Sequence, residues 1–172
     1  MIVIIGLMAG MATLAIGGND DRVFQDEVQQ LRMRLNAAQD DAFFQQRTLG
    51  VKFSNSGYEF LTFELDNRQW VRTEKAPMTA TSFSLPIKLE LSLNGEPLTL
   101  NTPKTNDDEV YRQDSEQPSS SGKIDPDIVL LSNGEMSAFS LRMKLVNNSL
   151  LEHQLYSDGF SAITHEIISR DR

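Results

Sequence analysis

The first sixteen residues constrain this chain more than any others. Ile2 to Ile16 read IVIIGLMAGMATLAI and carry no charge. Three readings compete for such a run. A secretory signal peptide needs a basic start and a small-residue cleavage site, yet no Lys or Arg stands before Arg22. A core helix of a small domain is usually amphipathic, and this run is apolar on every side. A membrane helix fits best. Fifteen residues at about 1.5 Å each reach roughly 22 Å, short of a hydrocarbon core of roughly 30 Å. The expectation is therefore a membrane helix over 1–18 that lacks its beginning. By the same arithmetic about eight apolar residues precede Met1, which is then an internal methionine. Ile2, Val3, Ile4, Ile5, Gly6, Leu7, Met8, Leu14 and Ile16 supply its apolar surface.

The pattern changes after Gly17-Gly18. Asn19-Asp20-Asp21 suit a helix cap or first turn. Apolar residues then recur at Phe24, Val28, Leu31, Leu35, Ala38 and Ala42. Steps of four and three trace one stripe of an amphipathic helix. Gln25, Asp26, Glu27, Gln29, Gln30, Arg32, Arg34 and Gln39 occupy the remaining faces. The helix is expected over 19–49, with Gly50 ending it. Its stripe packs on the domain that follows, or serves a coiled-coil partner as well. Each glycine of the pair costs about 1 kcal/mol relative to alanine. Gly17-Gly18 is thus either a joint or a plain boundary between membrane and water-exposed parts.

From Val51 the helical period is gone. Val51 and Phe53, then Tyr58, Phe60 and Thr62, alternate around Ser54-Asn55-Ser56-Gly57, a hairpin pattern. Leu61, Phe63 and Leu65 take the other parity, so that strand is apolar on both faces. Trp70 and Val71 follow a polar turn at Asp66-Asn67-Arg68. Leu85–Leu93 alternates and turns at Asn94-Gly95 into Pro97–Leu100. Ile128–Leu131 is an apolar run before Ser132-Asn133-Gly134. Phe139–Leu145 alternates, Leu155–Phe160 turns at Ser157-Asp158-Gly159, and Ala162–Ile168 offers a last strand. About seven or eight strands in hairpin order predict an antiparallel sheet or sandwich over 50–172. The fold class is α+β. Residues 101–123 are polar and end in SEQPSSSG. They lack the apolar side chains that offset ordering entropy, so a mobile loop is expected.

Composition removes several functions. The chain carries 16 Lys plus Arg against 24 Asp plus Glu, a formal charge of -8. Such a surface repels phosphate backbones, so no nucleic acid is expected as partner. No cysteine is present, which removes disulfides, thiolate nucleophiles and Cys-ligated zinc. His153 and His165 stand twelve apart and match no metal spacing, so each reads as an ordinary strand or surface histidine. Asp107-Asp108-Glu109 and Asp125/Asp127 do not match a calcium loop. Neither GxSxG nor a phosphate-cradling glycine loop occurs. The expectation is a non-enzymatic protein with no cofactor, no metal and no catalytic residue.

Three stretches carry a resemblance. The first is Leu49-Gly50-Val51-Lys52-Phe53, then Gly57-Tyr58-Glu59-Phe60, then Trp70. The second is Leu130-Leu131-Ser132-Asn133-Gly134-Glu135-Met136, leading to Phe139-Ser140-Leu141. The third is Ser157-Asp158-Gly159. In order and spacing they resemble the minor pseudopilin H family of the type II secretion system, which is type IV pilin-like. The family often has proline where Ala138 stands, and glycine near Ser161. The family's basic leader, Gly-Phe junction and mature-helix glutamate would all lie upstream of Met1.

The resemblance implies a pilin-like fold and a structural role. The helix would sit in the bacterial inner membrane, single-pass, with the head in the periplasm, and then pack in the core of the pseudopilus. Implied partners are other minor pseudopilins, the major pseudopilin, the inner-membrane assembly platform and, before assembly, lipid. The subunit would link the tip complex to the major pseudopilin in a fibre that exports folded proteins across the outer membrane. Leader cleavage and N-methylation are implied in the same way. The runner-up is a minor pilin of a type IV pilus, with DNA as a partner. Its sequence sign would be a basic cluster, and Arg170 and Arg172 beside Asp171 are a weak one.

Overall fold

The computed structural model describes residues 2–100, 124–147 and 151–169, with side chains described from residue 19 to 168. The expected loop at 101–123 and the Arg170–Arg172 tail lie outside the described residues. Helix α1 spans Ile2–Phe44. It runs without a break through Gly17-Gly18 and Asn19-Asp20-Asp21, so neither the joint nor the second helix start is present. A glycine weakens a helix by about 1 kcal/mol but keeps its N–H and carbonyl, so the ladder continues.

The helix ends at Phe44, well over a turn before Gly50. Gln46 takes the left-handed conformation, with φ 51°. The Arg47 N–H donates to Ala42 O at 3.1 Å and the Gln46 N–H to Phe43 O at 3.3 Å. That pair of bonds is a Schellman ending, usually built on glycine. Gly50 is needed elsewhere. A Cβ there would lie 2.5 Å from Pro126 Cβ and 3.1 Å from Trp70 Cζ3, so its strand needs a bare backbone at that point.

Ten strands follow among the described residues, in two antiparallel sheets. Sheet A takes β1 (Leu49–Ser54), β2 (Gly57–Glu64), β3 (Gln69–Arg72), β4 (Thr81–Ser82) and β7 (Ile128–Leu130). Sheet B takes β5 (Ile87–Leu93), β6 (Glu96–Leu98), β8 (Phe139–Leu145), β9 (Leu151–Ser157) and β10 (Thr164–Ser169). The orders are β3-β2-β1-β7, with β4 beside β2, and β10-β9-β8-β5-β6. Hairpin order therefore fails three times among the described residues, where β4 returns to β2, β7 to β1 and β8 to β5. The β1–β2 hairpin pairs Ser54 with Gly57. The β5–β6 hairpin turns at Asn94-Gly95 with φ 51° and 87°, the twist-matched turn that Asn-Gly favours.

Two strand details depart from expectation. β4 has only two residues and no readable period; it pairs Ser82 and Thr81 with Gly57 and Tyr58. β9 starts at Leu151, before the expected Leu155, because a polar residue, His153, occupies an inward position. The expectation of a strand apolar on both faces holds only in part: Tyr58, Phe60 and Leu61 of β2 are buried, while Leu65, just past its end, is 81% exposed.

Candidate assembly site: the seat of the helix

Alternation sends one face of each sheet toward α1. Val51, Phe53 and Phe60 of sheet A, and Leu91, Leu141 and Met143 of sheet B, join one buried cluster with the helix stripe. Phe24, Val28, Leu31, Leu35, Ala38 and Ala42 are each 0% exposed. Burial of a Leu- or Phe-sized side chain contributes about 1.5–3 kcal/mol, so the stripe supplies most of the attraction between helix and head. Met78, 1% exposed, closes the core from an irregular segment with no periodicity to announce it.

Polar contacts run along both flanks of the stripe. Toward β4, Glu27 Oε1 accepts the Ser84 N–H at 2.6 Å and the Ser84 hydroxyl at 2.7 Å. Arg34 donates to Thr81 Oγ1. The same guanidinium faces Tyr58, whose pKa burial raises against the pull of Arg34. Toward β7, Gln39 Nε2 donates to Gly134 O at 2.8 Å and Gln46 Nε2 to Ser132 O at 3.3 Å. Arg47 pairs with Asp41 at the helix end. Glu27, Arg34 and Gln39 were expected to face water, because polarity alone does not reveal a partner on a distant loop.

The three sequence motifs fall at close approaches and turns. Gly50 lies beneath Trp70, whose ring packs on Phe63 with centroids 5.1 Å apart. A Cβ on Gly57 would lie 2.0 Å from Thr81 O. Tyr58 contacts the rings of Phe53, Phe60 and Phe83. Gly134 has φ +91° and faces Phe43. Glu135 contributes its backbone: its carbonyl accepts the Leu131 N–H at 2.7 Å, and its N–H donates to Asn133 Oδ1 at 3.0 Å. Phe139 is buried and pairs with Ser157. Asp158 accepts the N–H groups of Phe160 and Ser161 at 2.9 and 2.8 Å. Those bonds hold its carboxyl below the usual range. Gly159, at φ +97°, has its carbonyl bonded by the Met136 N–H at 2.8 Å. Ser132 serves through its carbonyl, as above.

Asp127, weighed as a cation ligand, is instead an internal tie. Its oxygens accept Lys52 Nζ and the Phe53 N–H, each at 2.7 Å, fastening the approach to β7 onto β1. The two histidines are not separate. His153 Nδ1 and His165 Nε2 are 2.8 Å apart. Twelve residues of sequence hide a diagonal pair across neighbouring strands.

Ile2, Val3, Ile4, Ile5, Gly6, Leu7, Met8, Leu14 and Ile16 lie on α1, and their side chains are outside the described residues. Among the described residues no helix is long and apolar enough to cross a membrane, a statement that does not reach those side chains.

A single long helix, seated by one stripe on two antiparallel sheets, defines a pilin-like protein. No family model matches the chain. Type II secretion system protein H of Pseudomonas aeruginosa is 27% identical over 173 residues, covering 99% of this chain and 92% of that protein. Two structures of the minor pseudopilin EpsH, from the Type 2 Secretion System of Vibrio cholerae, share the fold. Their TM-scores are 0.58 and 0.57 at 16% identity, over 85% and 87% of this chain and 96% of each. The solution structure of E. coli GspH follows with a TM-score of 0.52 at 17% identity, over 81% of this chain and 84% of that one. The chain is a homologue of the type II secretion minor pseudopilin H. None of these relatives points to a type IV pilus.

Proposed function

We propose that this chain is a minor pseudopilin of the type II secretion system and acts as a structural subunit, without catalysis or cofactor. The carrying observation is the whole-length relationship to protein H, on a chain whose motifs all serve turns and close packing. Residues 1–18 anchor the subunit in the bacterial inner membrane and later enter the fibre core. The rest of α1 is the stem on which the periplasmic head sits. The head meets other minor pseudopilins and the major pseudopilin, linking the tip complex to the shaft. No nucleic acid takes part, in keeping with the charge of -8.

The physics of the anchor supports extraction by machinery. Burial of apolar area from water is worth about 25 cal/mol per Å², but a helix already in lipid gains less on packing with other helices. The outward face of the stem offers a lateral contact. Gln30, Met33, Arg34 and Ala37 form a groove of about 390 Å³ with Pro77, and Met33 is 56% exposed.

The test is complementation in a secreting bacterium that lacks its H subunit. The full chain should fractionate with the inner membrane and restore export of a folded exoprotein. Leu7→Arg should lose both, since a central arginine costs about 2.5–3.5 kcal/mol on insertion scales. Export that proceeds equally well with Leu7→Arg would sink the anchoring role.

A further inference from the structure

The stripe of α1 begins at Phe24 among the described residues, and Phe24 does not rest on aliphatic side chains alone. Its ring meets the His153 imidazole edge to face, with centroids 4.8 Å apart. His153 is 2% exposed. Its own ring lies nearly parallel to that of His165, with centroids 5.0 Å apart and planes 12° apart, and meets it edge to edge, Nδ1 of His153 lying 2.8 Å from Nε2 of His165. Three rings therefore run in series from the helix through β9 to β10.

We propose that the His153–His165 pair is an acid-released latch on the helix, closed while the two rings share one proton between Nδ1 and Nε2 and opened when both facing nitrogens are protonated. One ring must donate and the other accept. A first added proton goes to the outer nitrogen of the donor ring, and the bond survives. A second must go to the accepting nitrogen. The bond is then lost, and two imidazolium rings point N–H at N–H beneath Phe24. Release thus waits for the second proton, so it comes at a lower pH than the titration of one free histidine.

The surroundings push the same way. From α1, Arg32 sets a positive charge near His165, and its Nε is buried without a hydrogen-bond partner among the described residues. Asp21 stands one turn before Phe24 on the same helix. From β8, the uncharged Met143 lies opposite His153. Glu152 and Glu166 neighbour the histidines in sequence and so point to the other sheet face, where Arg142 approaches Glu152 at 3.6 Å. Burial holds both imidazoles below their usual pKa; His165 lowers His153 further, and Arg32 lowers His165. A depressed histidine favours the neutral folded form. That stability is complete above the unfolded-state pKa of about 6.5, and drains as pH falls through it toward the folded value.

The experiment uses the full chain in detergent micelles, with ring resonances of both histidines followed from about pH 8 to about pH 4.5, across the usual histidine range. Amide exchange is read in parallel. The two rings should titrate in separate steps, the second more than about one unit below the usual value. With that second step, protection of the amides near Phe24 should fall about tenfold beyond the intrinsic pH effect, while the β1–β2 hairpin keeps its protection. His165→Gln offers His153 an amide that can donate or accept at any pH, and should abolish the step. Two independent titrations near the usual value would overturn the latch. So would an acid-induced loss around Phe24 that is the same in His165→Gln.

Discussion

The stripe of α1 and the flanks beside it hold one helix by two kinds of physics. The stripe is apolar, sequence-local and redundant: six side chains, each fully buried. The flank toward β4 is polar and non-local. Glu27 reaches Ser84, and Arg34 reaches Thr81, across most of the head's early sequence. The stripe supplies attraction without direction, because apolar burial tolerates sliding. The flank supplies little net energy, because its groups exchange water for protein partners, but it fixes rotation and height. Together they set which face of the helix is turned outward.

That division can be tested by breaking each side in turn. Leu31→Ala removes fully buried volume from the stripe and should cost about 2–5 kcal/mol in urea unfolding. A smaller loss than at the flank would reverse the comparison. Gly57→Ala drives a methyl against Thr81 O and so displaces the strand that receives Arg34. Over-packing of this kind should cost about 1–3 kcal/mol, with the chemical shifts of Thr81 and Arg34 moving more than those of Leu31. Glu27→Ala should cost only about 1 kcal/mol, since the exposed Ser84 can turn to water. Its sharper readout is a loosened helix: faster amide exchange at Ser84 with the stripe amides unchanged. Equal exchange at both sites would mean that the flank adds no separate constraint.

The same division sets what the sequence revealed. The stripe residues Phe24 to Ala42 were legible because a 3.6 period survives in any one-dimensional reading. The β5–β6 turn was legible because Asn-Gly dictates its own backbone. The helix ending was not: Gly50 looked like a stop, and Gln46 did the stopping under tertiary bonds to the 132–134 turn. β4 was invisible because two residues carry no period. The return of β7 to β1 is a choice of topology that no local signal encodes. Of the candidate site, the motif positions were named from a resemblance, and what each does locally emerged only from distances: Pro126 over Gly50, Thr81 against Gly57, Met136 beside Gly159. The histidine pair was missed because diagonal neighbours across β9 and β10 have no fixed spacing in the chain.

The short passage from α1 into β1 has a mechanical consequence. Only Gln45 to Thr48 separate the helix from a strand that is hydrogen-bonded on both sides, to β2 over Leu49–Ser54 and to β7 over Leu49–Val51. A pull along the stem therefore enters the head through an interior strand, and two ladders share the load in shear. A stem joined to an edge strand would peel it away bond by bond. The head is wired to its stem like a rivet through a plate, suited to being hauled as one body.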